Sequence, residues 1–250
     1  MSLRVSSTDI SIVILAAGKG TRMNSDLPKV VHKLSNIPLI CHVTETAITL
    51  KPKKIVAVIG HQAELVIKAL DKFDVEFCYQ RKQKGTAHAV KQAEEQLSKF
   101  KGNTIVLSGD VPLIKANTLK SLIDKHLSTG SEATLITADL DNPSGYGRVI
   151  RSETGNLLTI REDKDCNSEE KRITEINAGI YIFNNESLFR MLPEVENKNV
   201  QSEYYLPDVL TLIIKRNGKV AIDKTKNITE IQGVNTPGQL KELEVLYEKN

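Results

Sequence analysis

The chain has 250 residues, of which 40% are hydrophobic, so it is long enough to bury a sizeable core. Its 34 basic and 31 acidic residues leave a net charge of +3, which argues against a nucleic-acid binder, because such proteins carry a larger or clustered basic excess. The three cysteines (Cys41, Cys78 and Cys166) form no C-x-x-C pair, which excludes a zinc knuckle and a disulfide framework and favours a reduced, cytoplasmic setting.

Strands alternate with helices in the first half of the chain. Residues 1–9 are polar and are expected to be a disordered or tag-like lead-in. Buried strands are predicted at 10–17, 54–60, 75–80 and 103–110, and helices at 38–50, 62–72, 86–100 and 115–128. This alternation predicts a mainly parallel sheet, which binds ligands at the carboxyl ends of its strands. No apolar stretch approaches the roughly 20 residues of a membrane span.

The second half is less regular. Strands are predicted at 132–140, 176–183 and 219–223, a loop at 141–148, and helices at 202–216 and 236–250. Residues 148–163 indicate a hairpin that turns at Thr154–Gly155–Asn156. No internal repeat or linker is apparent, so residues 10–250 are expected to form a single domain with an inserted hairpin.

A glycine-rich loop, LAAGKGTRM, follows the first strand. A dinucleotide-binding fingerprint needs a third glycine where Met23 stands, and a Walker loop needs Gly-Lys-Ser/Thr after four intervening residues, so both fit poorly. A third possibility is a long loop whose backbone N–H groups surround a triphosphate while Lys19, Arg22 and Lys29 offset its charge. The alternative is a flexible turn with solvated basic residues.

Two further stretches follow predicted strands. Asp110 stands where an α/β sheet binds ligands and could hold Mg²⁺; the alternative is an aspartate that caps a helix or a turn. Gln80 could pair with the edge of a base, and Gly85 would allow close approach, although Thr86 is also expected to cap the next helix. His88 has no identifiable partner and is expected to be a surface or core histidine.

The sequence contains neither a Ser/His/Asp order nor a nucleophile elbow. Most carboxylates other than Asp110 lie in charged, surface-like runs. These observations disfavour covalent hydrolysis. They are compatible with phosphoryl or nucleotidyl transfer, in which positioning and electrostatics dominate.

Several motifs occur together in one order, and the set resembles a known family. They are LAAGKGTRM…LPK (15–29), Q…GT (80–86), GDVP (109–112), GYGR (145–148), EINAG (175–179), EYY (203–205) and GVN (233–235). Over residues 10–250 the chain resembles the uridyltransferase domain of bacterial bifunctional N-acetylglucosamine-1-phosphate uridyltransferase/glucosamine-1-phosphate acetyltransferases. The resemblance implies a Rossmann-like three-layer α/β/α nucleotide-diphospho-sugar transferase fold, with a mainly parallel mixed sheet and an inserted β-hairpin region.

The resemblance also implies a reaction and its residues. UTP and N-acetylglucosamine 1-phosphate would give UDP-N-acetylglucosamine and pyrophosphate, with Mg²⁺ as cofactor, for cell-wall precursor synthesis. The nucleotide would contact Leu15, Ala16, Ala17, Gly18 and Lys29, with the uracil held by Gln80, Gly85 and Thr86. Catalysis would depend on Arg22, Lys29 and Asp110, and Mg²⁺ would bind Asp110 and Asn235. The sugar would contact Gly147, Glu162, Asn177, Tyr205 and Asn235.

Departures from the family pattern leave alternatives open. The family's hexapeptide β-helix is absent, so neither acetyltransferase activity nor a trimer built by that helix is expected. Ser108 stands where a tyrosine is common, and Arg161 where an apolar residue is common. The resemblance places Arg161 beside the sugar pocket, where its added positive charge could change the sugar preference. One alternative is a nucleotidyltransferase for glucose 1-phosphate or thymidine triphosphate, and another is a non-catalytic nucleotide-sugar sensor.

Overall fold

A computed structural model describes residues 10–248 as an α/β structure built on one large sheet. The strands are β1 (Ile10–Ala16), β2 (Lys33–Leu34), β3 (Ile37–Pro38), β4 (Lys54–Ile59), β5 (Glu76–Tyr79), β6 (Asn103–Ser108), β7 (Ala133–Asp139), β8 (Gly147–Arg151), β9 (Leu157–Arg161), β10 (Glu175–Asn184) and β11 (Val220–Lys224). The α-helices are α1 (Leu39–Thr49), α2 (Ala63–Ala69), α3 (Thr86–Lys91), α4 (Glu94–Leu97), α5 (Ala116–Thr129), α6 (Asn185–Met191), α7 (Asp208–Lys215) and α8 (Pro237–Tyr247). The predicted lead-in, residues 1–9, lies outside the described residues.

The large sheet has nine strands and is mixed. Its main order is β11-β7-β10-β6-β1-β4-β5, and the hairpin of β8 and β9 joins through β10. Strands β5, β4, β1 and β6 are mutually parallel, as are β7 and β11, whereas β10 runs antiparallel to both β6 and β7. The prediction of a mainly parallel sheet with an inserted hairpin is therefore confirmed.

Helices cover both faces of the sheet because side chains alternate along its buried strands. On β1, Ile12 and Ile14 belong to the core that α1, α2 and α5 complete. Val13 points the other way, into the core that α3, α6 and α7 complete. This arrangement confirms the three-layer α/β/α architecture. No helix within residues 10–248 is long and apolar enough to cross a membrane.

Two helix predictions need correction, and one helix was not predicted. The helix predicted at 86–100 is broken, because Gln92 and Ala93 each bond a carbonyl only three residues back and so tighten the turn between α3 and α4. The helix predicted at 202–216 begins only at Asp208, because the preceding segment bonds to the loop before α3. Helix α6 was not predicted; it is capped by Asn184, whose side chain accepts from the Ser187 N–H.

Candidate functional site

Two cavities lie at the carboxyl ends of the central strands. The glycine-loop cavity, about 280 Å³, is lined by Leu15, Ala16, Ala17, Gly18, Lys29, Gln80, Gly85 and Thr86, among others. The hairpin cavity, about 190 Å³, is lined by Gly147, Glu162, Asn177 and Asn235, among others. Leu15, Thr86, Ser108 and Asp110 line both. The two cavities therefore meet at the end of β6, where Asp110 stands.

The glycine loop folds back onto Lys29. Gly20 has a φ of +66°, and a Cβ at this position would lie 2.6 Å from Cβ of Lys29, so both the conformation and the close approach favour glycine. Met23, which replaces the third glycine of a dinucleotide fingerprint, is 3% exposed and packs in a small core with Val234 and Leu243. This packing fixes the loop beside the 233–235 segment.

Charged and amide groups meet where the cavities join. The Lys29 ammonium pairs with Oδ2 of Asp110 and donates to Oδ1 of Asn235 at 2.9 Å. The Arg22 guanidinium donates to the same Asn235 oxygen, also at 2.9 Å. Lys19 is exposed and lines neither cavity. The loop is thus more than a turn with solvated cations, because two of its three basic residues are held by specific oxygens.

The oxygens in this cluster suit a hard divalent cation. Asp110 and Asn235 each place an oxygen against the same ammonium, that of Lys29, so both oxygens lie within reach of one cation. Residues 10–248 contain no group of three or more His, Cys, Asp or Glu side chains placed to hold a metal. A metal here would need water or substrate oxygens as additional ligands, as Mg²⁺ commonly does. Asp110 does not cap α5, whose N-cap is Lys115, so the helix-cap alternative is excluded. It does lie in the turn that follows β6, as the other alternative expected.

The loop between β5 and α3 is held by the segment that precedes α7. Gly85 has a φ of +102°, and a Cβ there would lie 2.4 Å from the carbonyl oxygen of Tyr204. The Ala87 N–H donates to that same carbonyl at 2.9 Å. Thr86 does not cap α3, contrary to expectation: its hydroxyl accepts from the Leu206 N–H at 2.9 Å. The rim of the glycine-loop cavity is therefore held by two backbone segments.

His88, for which the sequence indicated no partner, contacts a residue of the glycine-loop cavity although it does not line the cavity itself. Gln80, which is 4% exposed, donates through Nε2 to the Gly85 carbonyl and to Nδ1 of His88, at 3.0 Å each. His88 lies in the first turns of α3, on the side that faces Gln80. The sequence could have indicated this contact through Gly85, because a glycine allows the turn between β5 and α3 that brings His88 back beside Gln80.

The residues expected to hold a sugar do not all meet. Gly147, Glu162, Asn177 and Asn235 line the hairpin cavity, but Tyr205 does not. The Tyr205 hydroxyl instead donates to Asp165 at 3.2 Å, and its ring lines a neighbouring cavity on the far side of Glu162.

Neither departure from the family pattern places a new charge in the hairpin cavity. Arg161 lines the neighbouring cavity and pairs with Glu170 at 3.4 Å, and it does not line the hairpin cavity. Ser108 lines both cavities, as a small uncharged side chain at their junction.

The Glu162 carboxyl has an unusual environment for an acid. Burial raises its pKa to about 7, and the carboxylates of Asp208, Asp165, Asp163 and Glu203 act in the same direction. At neutral pH the side chain is therefore divided between a neutral form that can donate a hydrogen bond and a charged form that accepts.

This shift gives a pH-dependent stability. The folded state binds the Glu162 proton more tightly than the unfolded state, so stability is lost as pH rises from about 4.5 to about 7. Glu162→Gln keeps the neutral shape and is expected to stabilise the protein by about 1–2 kcal/mol more at pH 8 than at pH 5. Thermal unfolding at both pH values measures this, with the exposed Glu153→Gln as control. A stabilisation equal at both pH values would contradict the assignment.

Comparison with known proteins identifies the family of this chain and supports its fold. The family model for nucleotidyl transferases matches residues 11–228. The chain belongs to this nucleotidyl transferase family. Within it, the chain is 49% identical over 224 residues to the bifunctional protein GlmU of Streptococcus agalactiae, covering 89% of this chain and 48% of that protein. It is also 46% identical to the GlmU of Bacillus velezensis, over 93% of this chain and 51% of that protein. The chain thus spans about half the length of these curated relatives.

Solved structures support the fold. A UDP-glucose pyrophosphorylase complexed with UDP-glucose has a TM-score of 0.75 at 19% identity, covering 96% of this chain and 98% of that chain. A glucose-1-phosphate thymidylyltransferase described as putative, from Bacillus anthracis, has a TM-score of 0.73 at 17% identity and covers 96% of both chains. At these identities the likeness concerns the fold alone.

Proposed function

We propose that this chain transfers UMP from UTP to N-acetylglucosamine 1-phosphate, giving UDP-N-acetylglucosamine and pyrophosphate, and that residues 10–250 form the catalytic domain. The observation that carries the proposal is the junction of the two cavities. Asp110 lines both, and two cations that contact the same amide oxygen stand beside it. The similarity to GlmU proteins supports the choice of nucleotide and sugar.

In this proposal each cavity holds one substrate. UTP lies in the glycine-loop cavity with its base toward Gln80, and the sugar phosphate lies in the hairpin cavity near Glu162 and Asn177. A phosphate oxygen of the sugar attacks the α-phosphorus of UTP in line, and pyrophosphate leaves on the opposite side. Lys29 and Arg22 offset the charge that collects on the leaving pyrophosphate.

Asp110 and Asn235 would hold the metal, which we propose to be Mg²⁺. GlmU-related nucleotidyltransferases generally depend on a divalent metal, and the ligands here are oxygens, the donors that Mg²⁺ prefers. When bound, the ion would act as a Lewis acid on phosphate oxygens. Asn235 is neutral and so would preserve more of the ion's charge than a second carboxylate.

Pyrophosphate release across a panel of substrates tests the proposal. UTP, CTP and thymidine triphosphate are each paired with N-acetylglucosamine 1-phosphate and glucose 1-phosphate, with Mg²⁺ present. We expect UTP with N-acetylglucosamine 1-phosphate to give the highest kcat/KM, by at least about tenfold over glucose 1-phosphate. Equal or faster turnover of glucose 1-phosphate would overturn the sugar assignment. Binding of UDP-N-acetylglucosamine without any turnover would instead favour a sensor.

A further inference from the structure

The amide of Gln80 is fixed by two acceptors inside the protein. Its Nε2 lies 3.0 Å from the Gly85 carbonyl oxygen and 3.0 Å from Nδ1 of His88. A primary amide has two N–H groups, and these two contacts use both. Because Gln80 lines the glycine-loop cavity, the atom left to meet a ligand there is Oε1, which can only accept a hydrogen bond.

His88 is suited to hold this orientation. Burial lowers the pKa of His88, and the nearby Lys84 and Lys91 lower it as well, which favours the neutral ring. Because the amide Nε2 of Gln80 can only donate, the contact assigns the ring proton to Nε2 of His88 and leaves Nδ1 as the acceptor. If the Gln80 amide flipped, its oxygen would face the Gly85 carbonyl oxygen, and two acceptors would then repel each other. His88 therefore adds a second contact that favours one of the two amide orientations.

We propose that His88 is a positioning residue that fixes the Gln80 amide, so that the glycine-loop cavity selects a pyrimidine with a protonated N3 over cytosine. Uracil and thymine each carry an N3–H that Oε1 could accept, whereas N3 of cytosine is itself an acceptor and would face Oε1 unpaired. A buried polar site rejects a mismatched partner strongly, because both groups lose their hydrogen bonds to water. The inference rests on the proposed function, since it places the base of the nucleotide at Gln80.

A pair of substitutions at one position tests the inference. His88→Phe keeps a planar ring but removes the acceptor, whereas His88→Asn can place Oδ1 close to the position of Nδ1. For each variant, kcat/KM is measured with UTP and with CTP at a fixed concentration of N-acetylglucosamine 1-phosphate. We expect His88→Phe to lower the UTP:CTP ratio about tenfold, mainly through a higher KM for UTP, and His88→Asn to restore most of it.

A double-mutant cycle separates positioning from packing. Gln80→Leu removes the amide, so His88→Phe in that background should leave the UTP:CTP ratio unchanged if His88 acts only through Gln80. A ratio that His88→Phe does not alter in the wild-type background would overturn the inference. So would an equal loss of ratio with and without Gln80.

Equilibrium binding keeps this test independent of turnover. Calorimetric titration with UDP and with CDP measures the base selectivity of the wild type and of both His88 variants without any catalytic step, and the UDP:CDP ratio should fall in His88→Phe and recover in His88→Asn. If the wild type binds UDP in preference to CDP but releases no pyrophosphate, the proposed function fails while the role of His88 can still be judged from the binding ratio. If the wild type binds both equally, the selection proposed here is wrong.

Discussion

Replacing Asp110 with asparagine is expected to lower metal-dependent turnover by about a thousandfold or more, while the fold remains intact. The substitution keeps the shape of the side chain and an oxygen toward Lys29, but it removes the negative charge from the point where the two cavities meet. A neutral amide binds a hard dication less well than a carboxylate, and the transition state loses its charge stabilisation. Pyrophosphate release at saturating Mg²⁺ measures the loss.

The control for this variant is another Asp→Asn substitution. Asp124 is exposed on α5, away from both cavities, and Asp124→Asn should retain the wild-type rate. Thermal unfolding should give similar midpoints for both variants. Binding of Mn²⁺ alone, followed by its electron paramagnetic resonance, should weaken only for Asp110→Asn. A near-normal rate for that variant would show that the metal site lies elsewhere.

The parallel part of the fold was predictable because its signals are local. Strands β1, β4 and β6 are buried on both faces, so each appears in the sequence as a short apolar run, and their ends were predicted to within two residues. The helix predicted at 202–216 was wrong before residue 208 for a non-local reason. The backbone groups of Tyr204 and Leu206 form hydrogen bonds with the loop around Thr86, more than a hundred residues earlier in the chain. Tertiary pairing here overrides helix propensity.

The candidate site shows the same division between local and non-local information. Asp110 was predictable because it directly follows β6, whereas Lys29 and Asn235 come together through the packing of the glycine loop against residues 233–235. The side chain of Tyr205 could not be assigned from its motif, because adjacent residues of an extended segment point to opposite sides. Leu206 lines the hairpin cavity, and Tyr205 lines the cavity beyond it.

Replacing Lys29 with methionine is expected to have opposite effects on turnover and on metal binding. Met matches the partly buried stem of the lysine but carries no charge. Turnover should fall by about a hundredfold to a thousandfold, because one of the two cations available to the leaving pyrophosphate is lost. A variant within a few-fold of the wild-type rate would remove Lys29 from the proposed mechanism.

In the absence of nucleotide, the same substitution should strengthen metal binding about tenfold. The Lys29 ammonium contacts Oδ2 of Asp110 and Oδ1 of Asn235, the two oxygens proposed as metal ligands, so it competes with a metal for both. Its positive charge also repels a dication at close range. Titration with Mn²⁺ alone measures this affinity without any dependence on catalysis.

Two matched variants decide how the Lys29 result is interpreted. Lys19→Met removes an exposed cation from the same loop and should alter neither turnover nor Mn²⁺ affinity by more than a few-fold. Arg22→Met should impair turnover but change Mn²⁺ affinity less than Lys29→Met, because Arg22 contacts Asn235 and makes no hydrogen bond to Asp110.

If Lys29→Met weakened Mn²⁺ binding instead, the ammonium would be supporting the ligand oxygens rather than competing for them. If it left both measurements unchanged, the Asp110–Asn235 pair would not be the metal site. In the wild type, Lys29 would have to leave these oxygens before a metal binds them, and the phosphates of the nucleotide are the groups that would draw it away. Metal binding would then depend on nucleotide binding through a single side chain.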